Sequence, residues 1–193
     1  MTDEAGAGLD RLVEAIRDSG LLNAGDTVIA LVSGGPDSAC LAAGLSRFLD
    51  RGNLVALHIN YGLRAESDAD AAVASRLCEG LGIDLVTIAA EGGPPAGNVQ
   101  DWARRVRYEA AERLRAESGA DRIAVGHTAT DVAETLIYRL ASSPGARALP
   151  GMQPRFGQVV RPLLGLERAD TRRIAGACGL EFADDLSNLD PKF

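Results

Sequence analysis

Two rhythms of apolar residues alternate along the chain. Thr27–Val32, Leu54–Asn60, Asp84–Ile88, Arg122–Gly126 and Gln158–Arg161 are short and rich in branched apolar residues. Such blocks are too short for helices and predict buried strands. Between them, apolar residues recur at helical spacing over Leu9–Asp18, Ala39–Leu49, Glu66–Leu81, Asn98 to about Glu117, Asp131–Ala141 and Glu167–Cys178. In the first of these, Leu9, Leu12, Val13 and Ile16 share one face. Gly20 and Gly25-Asp26 end that helix, Glu91–Gly97 is a loop by composition, and Ser142-Ser143-Pro144-Gly145 breaks the fifth helix. Leu180–Ala183 reads as extended.

Strands that alternate with helices predict an α/β fold: a Rossmann-like, doubly wound parallel sheet of about five strands with helices on both faces. No internal repeat or domain linker interrupts it, so residues 1–193 read as one domain. Ligands of such sheets lie beyond the carboxyl ends of the strands, near a topological switch point. The first strand feeds a glycine turn and is expected to be central.

That turn is Ser33-Gly34-Gly35-Pro36-Asp37-Ser38. Its glycines allow a tight turn and close approach to a ligand. The free N–H groups of the helix start then favour an anion. Asp37 offers a metal contact and Ser33 and Ser38 offer hydroxyls. No lysine follows the glycines, which excludes a Walker A loop, and G-x-G-x-x-G is absent.

Further candidates stand at other strand ends. His58 lies near the end of the second strand, where it is either a satisfied semi-buried histidine or a contact to the ligand of the neighbouring turn. In the helix after Asn98, Val99, Trp102, Val106 and Ala110 form the core stripe. Arg105 points away from it, while Arg107 and Arg104 fall along one flank. Arg107 is the one expected to pack its stem and present its head to a site. The fourth strand runs into Gly126-His127-Thr128-Ala129-Thr130-Asp131-Val132-Ala133-Glu134. Asp131 and Glu134 have capping-box spacing. A carboxylate there can also hold Mg²⁺, together with Asp37 and phosphates, or a substrate amine.

The totals change this picture little. The net charge of −7 argues against a nucleic-acid partner taken alone. Lys192 is the only lysine, and many of the arginines fall between Arg104 and Arg173, which suits phosphate recognition and is equally what a GC-rich genome produces. No apolar run approaches the ~20 residues of a membrane span, and the acidic N-terminus is unlike a signal peptide. Cys40, Cys78 and Cys178 are scattered, with no C-x-x-C, which fits a reducing cytoplasm and no cluster or zinc site.

The glycine turn resembles the SGGxDS pyrophosphate loop of the N-type ATP pyrophosphatases, the PP-loop superfamily. SGGPDS, HINYGLR, ARRVRY, GHTATDVAET, ALPGM, RPLL and DDLSN follow in this order. Together they resemble the N-terminal catalytic domain of the tRNA(Ile)-lysidine synthetase family. The resemblance implies that ATP adenylates C2 of the wobble cytidine of a tRNA(Ile) with a CAU anticodon. Free L-lysine then displaces AMP. It implies that Ser33, Gly34, Gly35, Pro36, Asp37 and Ser38, with His58, hold ATP, and that Asp37 holds Mg²⁺. Asp37, Arg107 and Asp131 would be catalytic, and Arg104, His127 and Glu134 would bind substrate.

Three departures stand out. Thr130-Asp131 replaces a pair of aspartates, Val132 stands where glutamine is common, and Tyr61 where histidine is usual. The family also continues into a basic segment and tRNA-binding C-terminal domains, so the sequence reads as one domain of a longer protein. The rivals are a thiolase of the same loop class, which would need well-placed cysteines, and a nucleotide-binding module without chemistry.

Overall fold

A computed structural model describes residues 3–63, 67–94, 98–142 and 151–183. Most of the ALPGM stretch, all of DDLSN and Arg64 lie outside these residues, as does the break at Ser143-Pro144-Gly145. The elements are α1 (Asp3–Asp18), β1 (Val28–Leu31), α2 (Pro36–Phe48), β2 (Leu54–Asn60), α3 (Ser67–Leu81) and β3 (Asp84–Ala89). Then come α4 (Val99–Ser118), β4 (Arg122–Ala124), α5 (Ala129–Ser142), β5 (Arg155–Phe156), β6 (Val159–Val160) and α6 (Arg168–Ala177).

The sheet runs β3-β2-β1-β4-β6-β5 and is parallel except for the β5–β6 pair. Among the described residues it therefore has six strands, one more than the five that the pattern marks. The sixth is the two-residue, exposed β5, which folds back on β6 through Gly157 at a φ of +58°. Two residues are too few for a period to register, so the pattern gave no signal there.

β1 is buried on both faces, as a central parallel strand must be. Its side chains alternate: Val28 and Ala30 join the cluster of α1, α2 and α6, while Ile29 and Leu31 join Ala110 and Ala111 of α4. The same alternation turns Ala56 of β2 towards α2 and α3, and Leu57 and Ile59 towards α4. α2 is buried from Ser38 to Leu45 without a solvent face, because the sheet, α1, α3 and α6 surround it. That explains its small side chains: Ala39, Ala42, Ala43 and Gly44 let neighbouring elements approach closely.

α1 begins six residues before the apolar stripe that predicts it, at Asp3, and buries Ala5 as well as Leu9, Leu12 and Ile16. α5 begins two residues before Asp131, at Ala129, because Thr128 takes the N-cap position. Asn98 stands at the N-cap of α4 but makes no side-chain cap bond. Val99, expected on the core stripe of that helix, is exposed, whereas Trp102 and Ala110 are buried. The stripe takes hold only from the second position on.

Successive crossovers build the sheet outward from β1 to β2 and β3, and the chain then returns across β1 to β4. The switch point thus lies between β1 and β4, where an open parallel sheet leaves a crevice at the carboxyl ends of its strands.

Candidate active site

A cleft of about 860 Å³ opens at that switch point. Its floor is the Ser33–Ser38 turn, and its walls include His58, Tyr61, Arg107, His127, Asp131 and Arg168.

The turn is shaped by its own residues. Gly34 has a φ of +95°, where a side chain would be strained. Pro36 opens α2, where its missing N–H costs nothing. The hydroxyls of Ser33 and Ser38, expected to face a ligand, are instead joined to each other at 3.2 Å. Ser38 also accepts from the Ser33 N–H at 3.2 Å and donates to the Gly35 carbonyl at 2.9 Å. The serines brace the turn. The first-turn N–H groups of Asp37 and Ser38 have no intrahelical acceptor and form an anion-attracting helix start. On the far side, Gly126 at the end of β4 packs against this turn. A Cβ on Gly126 would lie 2.9 Å from the Asp37 carbonyl oxygen, so only glycine fits.

Three carboxylates gather beside the turn around one guanidinium. Arg168, the first residue of α6, donates to Glu134 at 2.7 and 2.9 Å and to Asp131 at 2.9 Å, and lies 3.9 Å from Asp37. The paired Glu134 carboxylate, with Asp131, holds the Arg168 guanidinium firmly charged. Burial pushes the Asp37 carboxyl above its usual value, against a hydrogen bond from Thr171 of α6. Burial also acts on Asp131. Bonds from the Thr128 N–H at 2.7 Å and hydroxyl at 2.8 Å, with Arg168, outweigh it and hold Asp131 below its usual value. At this helix start Thr128 pairs with Asp131, its N–H and hydroxyl both donating to that carboxylate, while Glu134 is tied to Arg168. Among the described residues, no group of three or more His, Cys, Asp or Glu side chains forms a metal cage.

Arg107 donates through Nε to the Tyr61 hydroxyl at 3.0 Å. Tyr61 in turn donates to the Ala103 carbonyl at 3.2 Å and packs against Trp102, ring centroids 5.8 Å apart. Arg107 is thus steered into the cleft by Tyr61. Arg105 is exposed and 4.0 Å from Glu109. Arg104 is also exposed, lies over the Tyr108 ring and is not among the cleft's lining residues. Glu134 is not in the lining either and is tied to it through Arg168. Thr130 accepts the Arg168 N–H at 3.2 Å, joining the start of α5 to that of α6.

His58 is 3% exposed, and its Nδ1 donates to the Val32 carbonyl at 2.8 Å. Its Nε2 is buried with no hydrogen-bond partner among the described residues. An unpaired buried acceptor that lines a cleft is costly unless a ligand supplies the donor.

The turn, His58, Arg107, His127 and Asp131 were marked in the sequence, and the fold brings them together. Arg168, Thr171 and the grip of Tyr61 on Arg107 were not foreseen. Arg168 and Thr171 stand on a helix whose periodicity was readable but whose packing beside α2 was not. The one local signal was the capping box of Glu167 and Asp170, which sets Arg168 at the helix start.

A family model described as a PP-loop domain matches residues 8–193. The tRNA(Ile)-lysidine synthase of Symbiobacterium thermophilum is 40% identical over 195 residues, covering 96% of this chain and 40% of that protein. The enzyme of the same name from Dehalococcoides mccartyi is 37% identical and covers 93% of this chain and 42% of its own length. The chain thus spans about two fifths of the length of these curated relatives. Among solved structures, the U34-tRNA thiolase of Methanococcus maripaludis with its 4Fe–4S cluster superposes with a TM-score of 0.75 at 20% identity. That match covers 93% of this chain and 67% of the thiolase.

Proposed function

Since the chain belongs to the PP-loop domain family, we propose that it carries the catalytic domain of an ATP-dependent tRNA(Ile)-lysidine synthetase. The wobble cytidine of a tRNA(Ile) with a CAU anticodon attacks the α-phosphorus of ATP through its C2 carbonyl oxygen, and pyrophosphate leaves. The amine of L-lysine then attacks C2, loses a proton and expels AMP. The observation that carries this reading is one cleft that joins an anion-attracting helix start, the Arg107 guanidinium and a carboxylate cluster. The first suits pyrophosphate, the second a phosphoryl group that gains charge, and the third an ammonium. The names of the relatives supply the nucleic acid and the product.

Residues 33–38 hold the phosphates, with Asp37 and Ser38 giving N–H groups. His58 Nε2 accepts from the adenine amino group or a ribose hydroxyl. Arg107 neutralises charge on the α-phosphoryl group. Asp131 holds the lysine ammonium, with Glu134 adding negative charge behind it through Arg168. Asp131 has both oxygens engaged and its carboxyl held low, so it suits holding a cation rather than taking a proton.

Asp37 fits Mg²⁺. It is a carboxylate that burial makes uncomfortable as an anion, compensated only by Thr171 and a guanidinium 3.9 Å away. Mg²⁺ is commonly held by one or two carboxylates plus phosphates, so no protein cage is needed. When bound it would offset the charge of the departing pyrophosphate.

A thiolase of the same fold is the competing reading. Cys40 and Cys78 are buried, with burial raising their thiols to about 12 and about 11. No cysteine lines the cleft. That favours the ligase.

The test is release of pyrophosphate from ATP on addition of tRNA(Ile) and L-lysine, with lysidine read by nucleoside mass spectrometry. Asp37→Asn is expected to keep the fold and lose most turnover. Turnover that needs tRNA but ignores lysine would remove the ligase reading, and full turnover in folded Asp37→Asn would remove Asp37 from the site.

A further inference from the structure

The chain has two histidines, and both line the cleft. Their Nδ1 atoms meet opposite partners. A carbonyl oxygen can only accept, so His58 keeps its proton on Nδ1. His127 is met instead by Arg161, whose Nε donates to His127 Nδ1 at 3.0 Å. A guanidinium has no acceptor and does not give up its proton. His127 Nδ1 must therefore carry a lone pair, which makes the ring neutral and puts its proton on Nε2.

Arg161 is built for this. It follows β6, is 5% exposed, and its Nη1 donates to the Gln153 carbonyl at 2.7 Å. Its own N–H is tied to the Pro154 carbonyl at 2.9 Å. A buried guanidinium costs much to desolvate, and this one directs its N–H groups to the His127 ring and the Gln153 carbonyl. We propose that Arg161 is a positioning residue that locks His127 as a neutral Nε2–H donor. The cleft then offers a hydrogen bond, rather than a second cation, to an acceptor oxygen of the bound substrate. That oxygen belongs either to a phosphoryl group of the nucleotide or to the carbonyl of the base that is activated. The identity of the oxygen rests on the proposed function, whereas the tautomer does not.

The surroundings agree. Burial lowers the pKa of His127 to about 4, and the charges of Arg161, Arg107 and Arg104 act in the same direction against Asp131. An imidazolium would therefore stand among three arginines. A fixed neutral donor costs no such repulsion, and its bond strengthens as charge builds on the oxygen.

Imidazole nitrogen NMR of the labelled chain decides it, with His127→Asn to assign the two rings. His127 is expected to show a bare Nδ1 and a protonated Nε2, and not to titrate between about pH 8 and about pH 5. A protonated Nδ1, or a midpoint near the ordinary value of about 6.5, overturns the lock. In Arg161→Met the midpoint is expected to rise by about one unit or more, and Arg161→Lys to restore it in part. A methionine variant whose His127 behaves as in the parent overturns the role of Arg161. If that variant does not fold, the parent spectrum alone still decides the tautomer.

Mg-ATP is then added, followed by a CAU anticodon stem-loop. An Nε2–H resonance that moves with Mg-ATP assigns the phosphoryl oxygen. One that moves only with the stem-loop assigns the base carbonyl. No movement with ATP bound by calorimetry overturns the substrate contact. No ATP binding at all overturns the proposed function and leaves the tautomer standing.

Discussion

Arg107 and Arg105 are two residues apart on α4 and meet different fates. The angular position of Arg107 beside the Trp102 stripe was readable, and its half-buried head bonds to Tyr61 and lines the cleft. Arg105 faces water. Truncating Arg107 to methionine is expected to cost about 2–4 kcal/mol in the barrier to adenylation, as for a lost transition-state donor. Arg105→Ala is expected to cost little, and equal losses in steady-state turnover would contradict the helical-face argument. The same flank misleads for Arg104, which stacks on Tyr108 outside the cleft lining.

His127 gives a second test at this scale. Its pKa is about 4 folded, against about 6.5 unfolded. The unfolded chain thus takes a proton first as pH falls, so His127 contributes stability that is full above about 6.5 and is lost progressively towards 4. The loss amounts to roughly 3 kcal/mol at most. Asparagine keeps an acceptor for Arg161 but cannot titrate. The urea stability of the parent relative to His127→Asn is therefore expected to fall over that window, and a flat difference would mean that the ring is not held neutral.

At the scale of elements, the site depends on how closely β4 approaches the start of α2. Gly126 allows that approach, because any Cβ would press on the Asp37 carbonyl oxygen and the Ser38 nitrogen, which are backbone atoms with little freedom. Gly126→Ala is expected to cost about 1–3 kcal/mol of stability, in the range of overpacked interiors. It should also raise the KM for ATP, since the displaced atoms carry the anion-binding N–H groups. An unchanged KM in a destabilised variant would separate the packing from the phosphate site. The strand–turn–helix unit around Ser33–Ser38 was legible because strand, glycines and helix are contiguous. The start of α5 was misplaced, because Thr128 as a cap looks like any loop threonine until its hydroxyl is seen bonded to Asp131.

For the molecule as a whole, the net charge of −7 bears on the nucleic acid. Affinity for a polyanion comes largely from counterions released by cations, with a slope of roughly 0.7–0.9 per phosphate neutralised. The arginines near the cleft are partly spent: Arg168 on Asp131 and Glu134, and Arg161 on His127 and Gln153. The 193-residue chain is expected to bind tRNA(Ile) weakly, with a slope equivalent to about two or three phosphates rather than 6–10. A fluorescence titration at low and moderate salt measures this, and tight binding with a steep slope would show that the domain's own arginines suffice. No helix among the described residues is long and apolar enough to cross a membrane.

The sequence by itself determined the alternation of strands and helices, the central place of β1 and the anion-binding turn. Each of these rests on residues adjacent in the chain or spaced by one period, and such interactions are local. The tertiary structure alone decided the sixth strand, the place of Arg168 and Thr171 beside Asp37, and the grip of Tyr61 on Arg107. It also set the opposite proton positions on the two histidines. The side-chain pairs among these are separated by 26 to 134 residues, whereas the sixth strand is a local hairpin too short to show a period. Side-chain charge and hydrogen-bond partners depend on which atoms come within about 3 Å, and a linear pattern carries no such distance.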